Sequence, residues 1–109
     1  MFMNPLAFDV WIGVVGVRPL PGNARLEGAE GAYVNALALV SNAADYELVV
    51  TQALRGLEFS VFEFDDVETF ADRVRKATIE DGLRELADVV RRTGRVQFGI
   101  FHRFSDVEG

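Results

Sequence analysis

The sequence contains no cysteine. This absence excludes disulfide bonds, thiolate metal ligands and cysteine nucleophiles, and it is typical of a reducing compartment. Long apolar runs are also missing, because no stretch approaches the roughly 20 apolar residues that a membrane-spanning helix requires. The first residues, Met1 to Pro5, lack the basic start of a secretory signal peptide. We therefore expect a cytoplasmic protein with no membrane partner.

Basic side chains are in the minority. The chain has 11 Lys and Arg residues against 17 Asp and Glu residues, which gives a formal net charge of -6. Phosphate backbones repel an acidic domain, so we expect no nucleic-acid partner. A protein partner, in particular one with a basic surface, is electrostatically compatible with this charge.

Motifs for cofactor binding and catalysis are lacking as well. The chain has ten glycines, but those between Gly13 and Gly31 do not form the phosphate-binding loop that joins a strand to a helix. No serine has the flanking glycines of a hydrolase nucleophile. We therefore expect no cofactor, and the lack of a catalytic residue set favours a non-enzymatic protein.

Hydrophobic residues, in contrast, are abundant. They make up 50% of the sequence, and nine of them are phenylalanine. A chain of 109 residues can bury roughly two thirds of its unfolded surface, which suits a single core. We expect residues 1–109 to form one domain. Two prolines and several glycines interrupt the pattern in residues 19–30, which we interpret as a mobile loop or a wide hairpin connection.

The periodicity of apolar residues predicts both strands and helices. Alternation predicts strands at residues 8–17, 32–40, 57–64 and 95–104. Helical spacing predicts a helix that begins at the N-cap Asn42 and ends at Gly56. A weaker helical pattern covers residues 67–76, and a further helix should begin at Thr78 and end at Gly94.

The order of elements is β-β-α-β-α-β, and it predicts an α+β fold. A helical connection between strands usually forms a parallel crossover, so strands two, three and four should run in the same direction. Strand one should run against them. The expected architecture is a two-layer sandwich: a four-stranded mixed sheet with helices on one face, ferredoxin-like in general appearance.

The second face of this sheet should then carry more apolar side chains than solvent exposure allows. Provided that no bulge intervenes, the expected interface residues on this face are Trp11, Leu37, Leu39, Phe62, Phe64 and Phe101. The sequence leaves three possibilities for what covers this face. They are a second copy of the chain, the N-terminal segment together with loop 19–30, and an apolar ligand.

Polar and ionisable residues should gather at one edge of the predicted sheet. They are Asp9, Ser41, Asn42, Asp65, Asp66, Glu68, His102 and Arg103. His102 is a candidate general base, with Asp65 and Asp66 as further candidate catalytic residues. Asp65, Asp66 and Glu68 could hold a hard cation through carboxylate oxygens, although acidic residues after a strand are also common turn formers and helix caps.

Two functions therefore remain as predictions. The first is a small non-enzymatic protein-interaction or regulatory module that acts as a homodimer; it depends on the net acidity, the lack of a catalytic set and the surplus apolar strand surface. The alternative is a small-molecule-binding domain or modest enzyme, with a pocket at the strand ends near His102, Asp65 and Asp66.

Overall fold

Strands and helices follow one another along the chain in the computed structural model, which describes residues 8–79 and 82–105. The strands are β1 (Asp9–Pro19), β2 (Gly31–Val40), β3 (Phe59–Thr69), β4 (Gln97–Phe98) and β5 (His102–Phe104). The helices are α1 (Ala43–Gly56), α2 (Phe70–Lys76) and α3 (Leu83–Thr93). The predicted α+β class is confirmed.

Over the described residues the sheet has five strands, all paired antiparallel. The prediction of a four-stranded mixed sheet is therefore wrong. Its order is β3-β1-β2-β4, and β5 also pairs with β2. The connection through α1 does leave β2 and β3 running in the same direction, but β1 lies between them and pairs antiparallel with both. After α3 the chain returns against β2, because both β4 and β5 pair antiparallel with it. The ferredoxin-like description therefore fits only roughly.

Helices cover both faces of the sheet, so the prediction that they share one face is wrong. Val15 and Val17 of β1 pack in one buried cluster with Tyr46 and Leu54 of α1. Alternate positions of the strands point the other way, and they form a second buried cluster with α2 and α3. Its members are Val10, Ile12, Leu37, Phe70, Leu83, Ala87 and Val90.

The helix ends follow local capping chemistry, with one exception. The predicted N-cap of α1 is confirmed, because the side chain of Asn42 accepts a hydrogen bond of 2.8 Å from the backbone N–H of Asp45. The end of the last helix at Gly94, in the left-handed conformation, is also confirmed. The predicted start at Thr78 is wrong, since α3 begins at Leu83 with Gly82 as its N-cap.

The connection between β1 and β2 is tied to the end of α1. The side-chain amide of Asn23 donates to the carbonyl oxygens of Leu57 and Glu58, at 3.1 and 2.7 Å. The backbone N–H of Leu20 also donates to Glu58, at 2.9 Å, and the side chain of Leu26 is buried in the α1-side core. These contacts hold the connection against one end of the sheet. Its mobility stays a prediction, and the N-terminal segment that was expected to join it lies outside the described residues.

Candidate functional site

The face of the sheet that carries α2 and α3 is covered over only part of its length. Val10, Ile12 and Leu37 lie under these helices and are completely buried. Farther along the same face, at the end where β1 leaves the sheet, Tyr33 and Phe62 are 37% and 39% exposed. We call this region the aromatic patch and define it by Arg18, Tyr33, Phe62, Glu63 and Phe104.

Three aromatic rings of the aromatic patch pack against one another. The ring centroids of Tyr33 and Phe104 are 5.4 Å apart, and Phe62 meets both in edge-to-face contacts at 5.8 and 6.1 Å. The guanidinium of Arg18 lies 4.3 Å from the centroid of the Phe62 ring, which is within the range of a cation–π contact.

Two glycines form the floor on which these rings lie. A Cβ at Gly16 would be 2.6 Å from the Phe62 ring, and a Cβ at Gly31 would be 2.7 Å from the Phe104 ring. The rings therefore cover backbone that has no side chain of its own, which explains part of their packing without any partner. Their outer surfaces remain in solvent.

The charges around the aromatic patch are of both signs. The hydroxyl of Tyr33 donates a hydrogen bond of 3.3 Å to Oε1 of Glu63. Partial desolvation, followed by the charge of Glu63, raises the pKa of the Tyr33 phenol above its ordinary value of 10.0. The phenol therefore remains a neutral donor at physiological pH, and Arg18 supplies a positive charge against the Phe62 ring.

A cleft opens on the opposite face of the sheet, near the same end. Its apolar lining consists of Leu26, Leu57, Phe59 and Phe101, and its volume is about 260 Å³. The rings of Phe59 and Phe101 stack with centroids 5.5 Å apart and an angle of 24° between their planes.

The rim of this cleft is charged and carries more positive than negative groups. It consists of Arg25, Glu27 and Arg103. Arg103 forms an ion pair with Glu27, with 3.3 Å between Nη1 and Oε1. Among the described residues, Arg25 has no ion-pair partner, and only its backbone N–H is held, by the side chain of Asn23 at 3.0 Å. Within residues 8–79 and 82–105, the rim therefore has one guanidinium without an ion-pair partner.

The predicted interface residues do not share one face. Trp11 pairs with Ala38 and packs in the α1-side cluster, whereas Leu37 pairs with Ile12 and is buried under α3. Leu39 is half-buried against the same cluster as Leu37. The remaining α1-side positions are Phe64, whose ring lies 6.0 Å from that of Tyr46, and Phe101, which lines the cleft. Of the six, Phe62 alone belongs to the aromatic patch.

A β-bulge separates Phe62 from Phe64. Val61 pairs with Val17 while Glu63 pairs with Gly16, so the pairing register of β1 and β3 shifts between these positions. Both Phe62 and Glu63 then lie opposite Gly16, which sends the Phe62 ring to the open face and returns Phe64 to the α1 face. The assignment of Phe62 and Phe64 to one face assumed that no bulge lies between them, and the structure contains one.

The polar residues expected at one edge are divided between the two ends of the sheet. Asp9 pairs with Val40, close to Ser41 and Asn42, whereas His102 pairs with Tyr33. The seven residue steps of β2 from Tyr33 to Val40 span roughly 23 Å. The cause is the antiparallel direction of β5, which brings His102 and Arg103 to the start of β2. The expected convergence is therefore wrong.

Asp65 and Asp66 lie on the edge strand, away from His102. Asp65 pairs with Val14, and β1 and β2 lie between it and the strand of His102. Three inter-strand spacings amount to roughly 14 Å, which is too far for a hydrogen bond between the imidazole and a carboxylate. All three candidate catalytic side chains are exposed.

The candidate metal ligands Asp65, Asp66 and Glu68 do not form a ligand group, and Glu68 is already paired with two basic side chains. Glu68 accepts from Nε of Arg73 and from Nζ of Lys76, each at 2.5 Å. These two hydrogen bonds, that of Arg73 first, lower the pKa of the Glu68 carboxyl below its ordinary value of 4.5. Residues 8–79 and 82–105 contain no group of three or more side chains arranged to hold a metal ion. Glu68 instead joins the end of β3 to α2.

The cleft is the feature that the sequence patterns did not reveal. Its residues come from the β1–β2 connection, the turn after α1, the start of β3 and the β4–β5 segment. No spacing rule connects such distant positions. The available signal was weaker: Asn23 lies among turn-forming residues, whose side chains often bond backbone groups nearby in the chain, whereas its bonds to Leu57 and Glu58 join distant segments.

The chain matches no protein-family model, and neither the curated proteins nor the solved structures include one significantly similar to it. Within the described ranges, no helix has the length and apolar character needed to cross a bilayer. The arguments on function below therefore depend on the chain's own geometry.

Proposed function

We propose that the protein is a small non-enzymatic interaction module that associates with a second copy of itself through the aromatic patch. The observation that carries this proposal is the half-covered sheet face, where Tyr33 and Phe62 remain 37% and 39% exposed although Val10, Ile12 and Leu37, farther along the same face, are completely buried. The separation of His102 from Asp65 and Asp66 gives the enzymatic alternative no comparable support.

A second copy is the occupant whose chemistry fits best. In a two-fold symmetric dimer the same surface meets itself, so a suitable surface must be self-complementary. The aromatic patch suits this condition, because it carries one guanidinium, that of Arg18 against the Phe62 ring, and one carboxylate, that of Glu63 hydrogen-bonded to Tyr33. Because each copy carries one charge of each sign, a two-fold pairing can place the positive charge of one copy beside the negative charge of the other. Aromatic residues and arginine are also the side chains most enriched at interface centres.

The small size of the aromatic patch indicates weak association. It crosses three inter-strand spacings and about four residues along β1, or ~14 Å by ~13 Å in projection. The resulting ~180 Å² per copy is far below the ~800 Å² that each partner contributes to a standard stable interface. We therefore expect a dissociation constant on the order of tens of micromolar or weaker.

Sedimentation equilibrium of the full chain from about 10 µM to about 1 mM tests the proposal in the expected concentration range. The average mass should rise from 12.1 kDa towards twice that value. Phe62→Glu should keep the protein monomeric, because it places a carboxylate at the centre of the interface. Leu48→Glu is the matched control: Leu48 is 58% exposed but lies on α1, on the other side of the sheet.

Two results would contradict the proposal. One is a mass that stays at 12.1 kDa over the whole concentration range. The other is a dimer that both glutamate variants weaken equally, or that neither weakens. Circular dichroism and urea unfolding of each variant separate loss of association from loss of folding.

A cytoplasmic location is part of the same proposal, and the lack of cysteine supports it.

A further inference from the structure

We propose that the cleft bounded by Leu26, Phe59, Phe101, Arg25 and Arg103 binds a small organic anion, namely an aromatic ring that carries one carboxylate. This site is separate from the aromatic patch. Phe59 and Phe101 belong to the α1-side packing, whereas the patch lies on the face that carries α2 and α3.

The charge of the rim selects an anion. Two guanidinium groups and one carboxylate leave the cleft with a local excess of positive charge, in a protein whose formal net charge is -6. Arg25 has no ion-pair partner among the described residues, so its five N–H donors are available. A planar carboxylate matches the fork of a guanidinium, which can donate two parallel hydrogen bonds to it.

The lining of the cleft selects the rest of the ligand. Leu26, Leu57, Phe59 and Phe101 provide an apolar surface next to the charged rim, and Phe101 is half-buried with its ring stacked on Phe59. An aromatic ring can extend this stack with favourable offset geometry.

The volume sets an upper limit on ligand size. About 260 Å³ is slightly below the ~300–1,000 Å³ typical of sites for drug-sized ligands. A single ring with a short acidic group fits this volume better than a nucleotide or a peptide.

Glu27 competes with the ligand for the second arginine. Its backbone has φ of 54°, in the left-handed region that residues other than glycine seldom adopt. In this conformation its carboxylate pairs with Arg103 across the rim, at 3.3 Å. An incoming carboxylate must share or replace that contact, so Glu27 should limit the affinity for anions.

Titration of the isotopically labelled full chain with sodium benzoate, followed by amide NMR shifts, tests the inference. We expect shifts that cluster at Leu26, Phe101 and Arg103, with a dissociation constant on the order of millimolar for a ligand of this size. Benzamide has the same ring without the charge, and acetate and inorganic phosphate have the charge without the ring. Each of these three should bind at least about tenfold more weakly than benzoate.

Substitutions at the rim give the sharper test. Arg25→Gln should weaken benzoate binding about tenfold, whereas Arg84→Gln, an exposed arginine on α3, should leave it unchanged. Glu27→Gln should strengthen binding several-fold, because it releases Arg103, and Glu30→Gln serves as its control. The inference is overturned if benzoate causes no localised shifts at about ten times the expected dissociation constant. Equal binding of benzamide, or equal effects of the two arginine substitutions, would overturn it as well.

Discussion

Two glycines of the same sheet face provide a test of the packing described above. Alanine at Gly31 would place its Cβ 2.5 Å from the carbonyl oxygen of Val17, and alanine at Gly16 would place it 2.6 Å from the ring of Phe62. The distances are nearly equal, but the obstacles differ. The first is backbone within a paired strand, and the second is an exposed side chain that can rotate away.

The expected costs follow from this difference. Overpacking of a well-ordered region costs about 1–3 kcal/mol, and more where nothing can move. We expect Gly31→Ala to lower the free energy of unfolding by about 3 kcal/mol, because β1 would have to separate from β2 to relieve the contact. Gly16→Ala should cost about 1 kcal/mol or less, since the lower flexibility of the unfolded chain offsets part of the ring displacement.

Urea unfolding, followed by circular dichroism, measures both changes on the same scale. Gly56→Ala is the control: a Cβ there meets nothing within 4 Å, and the residue is the last of α1. It should stabilise the protein by about 0.5–1 kcal/mol. The reasoning would be refuted if Gly31→Ala and Gly16→Ala lowered the free energy of unfolding equally. It would also be refuted if the free energy of unfolding of Gly31→Ala lay within about 0.5 kcal/mol of that of the unmodified chain.

Two further predictions concern single side chains. Because the folded-state pKa of Glu68 is lowered, its ionisation stabilises the fold at pH values above 4.5, and this contribution is lost as the pH falls further. Glu68→Gln should therefore cost about 1–2 kcal/mol at neutral pH and much less near pH 3, in contrast to the exposed control Glu85→Gln; a loss independent of pH would contradict this. Oδ1 of Asn35 is buried and has no hydrogen-bond partner in the part of the chain that the structure describes, so Asn35→Leu should raise the free energy of unfolding by about 1 kcal/mol. A fall in urea resistance would show that this oxygen has a partner in solution.

The elements that depend on local chemistry were predictable from the sequence. Asn42 followed by Asp45 indicates a helix start, and Gly94 indicates a helix end, because capping involves residues only a few positions apart. The strands around Val15 and Leu37 were also recognisable from their apolar residues. Thr78 satisfied the same capping rule and yet begins no helix, since α3 starts at Leu83. A capping pattern therefore indicates where a helix can begin, and packing decides whether it does.

The assignment of residues to sheet faces could not be made in the same way. It requires the pairing register, and each bulge reverses the alternation beyond it. The bulge at Phe62 depends on Gly16 of a different strand, because the ring occupies the space that a Cβ at Gly16 would need. The candidate site near His102 failed for a related reason. Its location depended on the direction of β5, which pairs antiparallel with β2, and no local pattern determines that direction.

The lengths of the elements explain why open surfaces exist at all. The 11 residues of β1 extend over roughly 36 Å, because each residue of a strand advances ~3.3 Å. The 14 residues of α1 and the 11 residues of α3 span only about 21 and 16 Å, because a helix advances 1.5 Å per residue. Neither helix can cover the strands from end to end on its own face. The strand end near Arg18 and Phe59 is therefore open on both sides, with the aromatic patch on one and the cleft on the other. A partner and a ligand would bind at this same end, on opposite faces of strands that both sites share, because β3 carries Phe59 and Phe62 and β5 carries Arg103 and Phe104.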